Sequence, residues 1–271
     1  MISLNAAGAT SAASYYLDQN NRNLQKSLSR LSSGYRINTA EDDPGGLAVS
    51  MKLSAAIRQT DALSANVGNA ISFLQTQDGV LSVASSILLR MSELATLATD
   101  SVLSSDAAAY DVEFKELQEN MGELLGEDFN GVPLFSTPAS VLAVVTSTTN
   151  QTAAITKLNL GAIEDDIDVG TLTGITTPAL ATTALDALDT AIQDLAELRA
   201  QNGAEQSRMT FAQDILAVNS TNLQAANSRI MDVDIAKEST NYARLRIIQE
   251  AGLAVLAQAN TSTASLLRLL Q

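Results

Sequence analysis

The sequence predicts a mainly α-helical fold: a long helical hairpin or coiled-coil bundle built from both chain ends, with a small β-rich cap in the middle. Three observations carry this expectation. Proline occurs only as Pro44, Pro133, Pro138 and Pro178, which leaves 45–132 and 179–271 free to run as helix. Both stretches repeat apolar residues at steps of three and four. Between them the composition shifts to Thr, Val, Ser, Ala and Gly, the residues of short strands and turns.

Taken in chain order, Leu17, Leu24 and Leu31 repeat at seven and open the first helical segment. Gly34 and the run Pro44-Gly45-Gly46 then separate it from the next. Asp43 is placed to cap a second helix, with Pro44 suited to its first turn. From Leu53 the steps reach Ala56, Thr60, Leu63, Val67, Ala70, Leu74, Gln77, Leu81, Ala84, Leu88, Met91, Ala95 and Ala98. Ile57, Ile71, Phe73, Val80, Ile87 and Leu94 widen that stripe beyond a two-stranded seam, so the helix, about 70 Å long at 1.5 Å per residue, needs two or three neighbours. A third helix is expected from Ala107 to Leu125, ended by Gly126 and the turn Asn130-Gly131. Val141–Val145 and Ile167–Leu172 have strand character, with turns at Asn150, Gly161 and Gly174.

The second long stretch places Leu188, Leu195, Met209, Leu216, Leu223 and Ile230 at multiples of seven, with Asn202 the polar exception. After Ile230 the phase slips, and Tyr242, Leu245, Gln249, Gly252, Leu256 and Ala259 set a new register. Each end of the chain thus has a short heptad segment joined through a break to a long one. The expected division is 1–43 with 233–271 as a terminal helical domain, 44–135 with 183–232 as a second helical domain, and 136–182 as the β-rich segment.

Composition narrows the function. The 271 residues contain no cysteine and no histidine, which removes disulfides, thiol nucleophiles and the commonest metal ligand and acid–base group. A net charge of −14 argues against nucleic acid, whose phosphates need a basic footprint. No run of eighteen apolar residues predicts a membrane span, and 1–14 lacks the basic and apolar regions of a cleaved signal peptide. The acidic run Glu164, Asp165, Asp166 and Asp168 lacks the alternation and terminal glutamate of a calcium loop and reads as a solvated turn. Glu41-Asp42-Asp43 reads as a helix cap, and Gly45-Gly46 lacks the spacing of a phosphate loop. Asn150, Asn219 and Asn260 begin short matches to the N-glycosylation pattern. No catalytic, cofactor-binding or metal-binding constellation emerges, so the chain is expected not to be an enzyme.

The ends stand apart. Residues 1–43 are neutral and 239–271 carry three arginines against one glutamate, so the excess negative charge lies between them. The seam from Tyr242 to Leu270 is rich in Ala, Gly and Leu. Two readings stay open: these segments pack on the hairpin body, or they await copies of the same chain.

Leu31-Ser32-Ser33-Gly34-Tyr35-Arg36-Ile37-Asn38, then Glu41-Asp42-Asp43 and Gly46-Leu47-Ala48, closely resembles the N-terminal signature of bacterial flagellins. Asn69-Ala70-Ile71-Ser72, Gln75-Thr76 and Phe129-Asn130-Gly131 continue the likeness. The C-terminal half of the resemblance rests on Ser228-Arg229-Ile230, Asp234-Ile235-Ala236, Ile247-Ile248-Gln249-Glu250-Ala251-Gly252 and Val255-Leu256-Ala257-Gln258-Ala259-Asn260. It covers about 15–135 and 183–271.

That resemblance implies a structural subunit that self-assembles into the extracellular flagellar filament for swimming motility. It implies secretion through the type III flagellar export apparatus, an export chaperone, and contact with filament cap and hook-associated proteins. Polymerisation is expected at Leu17, Leu24, Leu28, Leu31, Tyr242, Leu245, Ile248, Leu256 and Leu266. In the flagellins that an animal toll-like receptor recognises, an arginine, a leucine and a glutamate form the contact, and the matching positions are Arg90, Leu94 and Glu113. The alternative is that Leu94 widens the bundle stripe and Arg90 pairs with an acid such as Glu93. Asp43-Pro44 leans towards hook–filament junction proteins, and a signalling coiled coil is a further alternative, disfavoured by the two phase breaks.

Overall fold

In the computed structural model, which describes residues 2–100, 107–148, 151–167 and 172–269, the order is α1 (Ile2–Ser33), α2 (Pro44–Ala98), α3 (Ala107–Glu123), β1 (Asp128–Phe129), β2 (Val132–Pro133), β3 (Ser140–Val145), β4 (Thr152–Lys157), α4 (Gly161–Ile167), α5 (Pro178–Met231) and α6 (Ile235–Leu269). A short 3-10 turn, Leu124–Gly126, closes α3. The chain divides into two compact units. One comprises residues 1–57 and 221–271, the other 58–220.

In the 58–220 unit, the heptad residues of α2 are the core. Val67, Leu74, Leu81, Ala84, Leu88, Met91 and Ala95 are buried, as are Leu188, Ala191, Leu195, Met209 and Leu216 of α5. Phe114 and Met121 fill the third side from α3, so α2 has more than one helical neighbour, as the width of its stripe requires. By length and composition alone α2 could cross a membrane. Many of its apolar residues build this core, while Val83 and Leu89 are exposed.

Polar side chains are buried at chosen points of the same unit. Asn202 donates from Nδ2 to the Leu74 carbonyl at 3.0 Å. Gln77 donates from Nε2 to the carbonyls of Leu134 at 2.8 Å and Thr156 at 3.3 Å, tying both hairpins to α2. Glu205 accepts from the Thr156 backbone N–H and hydroxyl, both at 2.7 Å. The buried carboxylate of Asp111 accepts the Ile175 N–H at 2.7 Å and so fixes the approach to α5.

The two antiparallel hairpins, β1–β2 and β3–β4, are where the structure departs from the pattern. The partner of β3 is 152–157, with Val141 opposite Thr156 and Val145 opposite Thr152. Of 167–172, expected to have strand character, Ile167 is instead the last residue of α4, buried against the core, and 168–171 lie outside the described residues. So short a run of apolar residues does not tell a helix end from a strand. Glu164 and Asp165 accordingly sit on α4 rather than in a turn. Asn130, with φ 54°, and Gly131, with φ 76°, make the tight turn between β1 and β2 that the Asn-Gly pair predicts.

In the other unit, the break after Ile230 is real. Gly34, at φ 76°, ends α1, and Tyr35 bridges Asp232 between α5 and α6. Val233 donates its N–H to the Gly34 carbonyl at 2.9 Å, and the Arg36 guanidinium donates from Nη2 to the Ile230 carbonyl at 2.8 Å. The two phase slips in the sequence therefore meet and brace each other. Asp43 caps α2 by accepting the Gly46 N–H at 2.9 Å. Gly46 is required there: a Cβ would lie 2.5 Å from an Asp43 carboxylate oxygen.

Candidate functional site

Helices α1 and α6 pair along their length, and the small residues of α6 explain how closely. A Cβ on Gly252 would lie 3.0 Å from the Leu17 side chain. Asn20 donates from Nδ2 to the Leu245 carbonyl at 2.9 Å within a buried seam, and the Ser27 hydroxyl donates to Glu238. The nine expected polymerisation residues divide accordingly. Leu245 is buried in this seam, and Leu17, Leu24, Leu31, Tyr242 and Leu256 are half-buried. Leu28 and Ile248 face outward, and the side chain of Leu266 lies outside the described residues.

The outward side of the pair has further large apolar groups that heptad counting passes over: Tyr15, Tyr16, Ile247, Leu253 and Val255. They fall between the seam positions, so the seven-residue repeat that marks the seam is blind to them. The signal that finds them is the shortage of charge on two helices that are apolar on more than one face.

Below this pair, Asp42 gathers a charged cluster. Lys26 donates to its carboxylate, Arg30 lies 3.7 Å away, and the N–H groups of Asn38 and Thr39 donate at 3.1 and 3.3 Å. The Lys26 hydrogen bond, aided by those two N–H groups, lowers the Asp42 carboxyl to about 2 against an ordinary value of 3.8. The cluster holds the loop between α1 and α2. It is a brace rather than a paired-carboxylate site, because its acid is ionised and its partners are cations.

On the 58–220 unit, Arg90 donates from Nε to Glu113 and from Nη1 to Glu93, both at 2.7 Å. The pair with Glu113 joins α2 to α3, and that hydrogen bond from Arg90 lowers the Glu113 carboxyl. Leu94, one turn on, is 1% exposed and belongs to the core. The three expected receptor residues are thus neighbours, but Arg90 and Glu113 form the surface and Leu94 its foundation. Among the described residues, no group of three or more Asp and Glu is arranged to hold a metal ion.

The bacterial flagellin N-terminal helical region matches residues 4–140, and the bacterial flagellin C-terminal helical region matches 185–270. The chain belongs to the bacterial flagellin family. It is 37% identical over 257 residues to a flagellin of Halalkalibacterium halodurans, covering 91% of this chain and 92% of that one. It is 34% identical over 271 residues to the flagellar filament 33 kDa core protein of Treponema phagedenis, covering 94% and 95%. A solved flagellar hook-associated protein from Vibrio parahaemolyticus overlays with a TM-score of 0.57 at 14% identity, over 70% of this chain and all of that one, a likeness of fold alone.

As a flagellin, the chain is a member of a structural protein family, and the paired α1 and α6 come from its two family regions. Asp43-Pro44 in this flagellin is the cap and first turn of α2 and gives no support to the junction-protein alternative.

Proposed function

We propose that this flagellin is a non-enzymatic subunit of the secreted, extracellular flagellar filament of a swimming bacterium, polymerising through the outward faces of α1 and α6. One observation carries the reading most strongly. The α1–α6 seam is already filled by each helix's partner, yet Tyr15, Tyr16, Leu28, Ile247, Ile248, Leu253 and Val255 remain exposed on the outside of the pair. Burial of such groups releases about 25 cal/mol per Å², so copies of the chain gain by covering them. The terminal domain, 1–43 with 233–271, is then the inner-core element, 44–135 with 183–232 the outer-core element, and 136–182 the outward segment.

The same exposed groups would self-associate before export, which is the reason to expect an export chaperone on α6 and delivery through the type III apparatus. Cap and hook-associated proteins would meet the filament's two ends. Arg90 and Glu113 offer an exposed, prearranged pair to a toll-like receptor, with Leu94 supporting them from beneath.

The experiment is removal of Tyr242–Gln271. The truncated chain is expected to stay helical by circular dichroism and to form no filaments by negative-stain electron microscopy. Normal filaments from it would sink the proposal.

A further inference from the structure

We infer that the free edge of β3, residues 141–145, pairs antiparallel with the same edge of a second copy of the chain, building a four-stranded sheet that ties one filament to another. The inference goes beyond the filament reading above and rests on it, because 136–182 is there the outward segment.

The register of the β3–β4 hairpin decides which backbone groups are left over. Thr146 donates its N–H to the Gln151 carbonyl at 2.9 Å, so these two residues form a hydrogen-bonded pair. Such pairs alternate along an antiparallel ladder. Leu142 with Ile155 and Val144 with Ala153 are therefore bonded as well, whereas Val141, Ala143 and Val145 turn their N–H and C=O groups away from β4. Thr156, opposite Val141, agrees: its N–H goes to Glu205 and its carbonyl accepts from Gln77. The edge of β4 is thus taken there by side chains. On β3 the sheet ends, and among the described residues nothing bonds the outward backbone groups of Val141, Ala143 and Val145.

Native sheets guard an open edge with a charge, a proline, a bulge or a covering element. Ser140–Val145 holds no charge and no proline, and its pairing with β4 runs without a bulge. Val141 is 64% exposed, and Ala143 is exposed beside it. On the other face, Leu142 and Val144 line an apolar groove of about 530 Å³ with Phe73, Phe129 and Val132. A strand added to this edge satisfies the free backbone groups and sets its own alternate side chains next to that groove.

Sequence symmetry and charge select the occupant. The outward residues read Val141, Ala143, Val145, the same in either direction. Antiparallel pairing about Ala143 sets Val141 of each copy opposite Val145 of the other, and every outward N–H meets an outward carbonyl. On the groove face, Leu142 of each copy lies opposite Val144 of the other, a favourable cross-strand pair. Copies with a net charge of −14 repel one another, yet Lys157 is the only charged residue between Phe129 and Ile163. It stands on β4 opposite Ser140, one strand in from the edge. A patch that pairs with itself closes a two-fold dimer, whereas successive subunits of an open filament meet head to tail. The second copy therefore belongs to another filament.

The chain has no cysteine, so introduced thiols report cleanly. Ala143 lies on the two-fold, and the Cα atoms of a hydrogen-bonded pair are about 5.5 Å apart, within reach of a disulfide. Mild oxidation of Ala143→Cys filaments should give about tenfold more covalent dimer than Ala154→Cys filaments, whose thiol is also exposed but sits on β4. The yield should rise with filament concentration. Equal yields from the two variants would overturn the inference, as would a yield indifferent to concentration, which places the contact within one filament. Independently, Val141→Lys should reduce side-by-side association of filaments, counted by negative-stain electron microscopy, about tenfold, at an unchanged critical concentration for polymerisation. Wild-type filaments that stay single, or variant filaments that associate as the wild type does, would also overturn it. Failure of the wild-type chain to polymerise would remove the filament reading and this inference with it.

Discussion

Asn202 donates its side-chain amide to the backbone carbonyl of Leu74 at 3.0 Å, from the polar position in an otherwise apolar heptad series. Among the described residues, its own side-chain carbonyl oxygen and that of Gln77 are buried with no hydrogen-bond donor beside them. An unmet buried acceptor costs about 1–3 kcal/mol, whereas the bond it accompanies contributes about 1 kcal/mol. Asn202→Leu is therefore expected to raise stability by about 1 kcal/mol in urea denaturation. Asn202→Asp, which buries a bare charge, should lower it by about 3 kcal/mol or more. A loss above about 2 kcal/mol for the leucine variant would show that the amide bond outweighs the orphaned oxygen.

The Asp42 brace makes a prediction in pH. Because its carboxyl is lowered to about 2 from 3.8, it stabilises the fold fully above 3.8 and loses that contribution as pH falls through about 2. Asp42→Asn is expected to cost about 1–3 kcal/mol at neutral pH. The gap between wild type and variant should close between about pH 4 and pH 2, measured by thermal unfolding across that range. A gap that persists at pH 2 would mean the side chain acts through shape and not through charge.

Gly174 should not tolerate a side chain. Its φ of +123° is a conformation that L-residues rarely adopt, and a Cβ would lie 2.1 Å from Asp111 Oδ1. Gly174→Ala is expected to cost about 2–4 kcal/mol, by displacing the carboxylate that holds the Ile175 N–H. A loss below about 1 kcal/mol would show that this loop re-forms around the methyl group.

Receptor recognition separates surface from foundation. In a toll-like receptor reporter assay on monomeric protein, Arg90→Ala and Glu113→Ala should each reduce the response while leaving thermal unfolding unmoved, since the pair is exposed. Leu94→Ala should reduce the response only together with stability, because that side chain is core. A loss of signal for Leu94→Ala with an unchanged melting temperature would put its side chain in the contact itself.

Much of this arrangement is legible in residues alone. The steps from Leu63 to Ala98 mark the buried face of α2 because a bundle helix must repeat with the helical period, and Asp43-Pro44 marks its start because a cap uses local chemistry only. The Asn130-Gly131 turn is legible for the same reason. The pairing of β3 with 152–157 is less so, since strand partners are chosen by contacts across the fold, here Gln77 and Glu205 both holding Thr156. The sequence pattern also joins Leu17, Leu245 and Leu256 to Ile248 as one class, although the first three turn towards the seam and the last away from it. A heptad locates a seam and says nothing of what lies on a helix's back. Tyr16 and Ile247, exposed on the outside of the pair, escape notice for that reason.

The contact between Asn20 and Leu245 spans 225 residues of chain. Such a contact closes late, since bringing distant segments together loses chain entropy before any interaction repays it. While a flagellin chain is still being made or threaded, α1 is a helix without its mate, and a lone segment with the apolar back of Tyr15 and Tyr16 has little reason to hold its shape. Completion of the inner pair is thus a matter of timing. On the proposed filament reading, the surface that would grip other copies comes into being only when the far part of the chain arrives, so half-finished chains would stay out of a growing fibre.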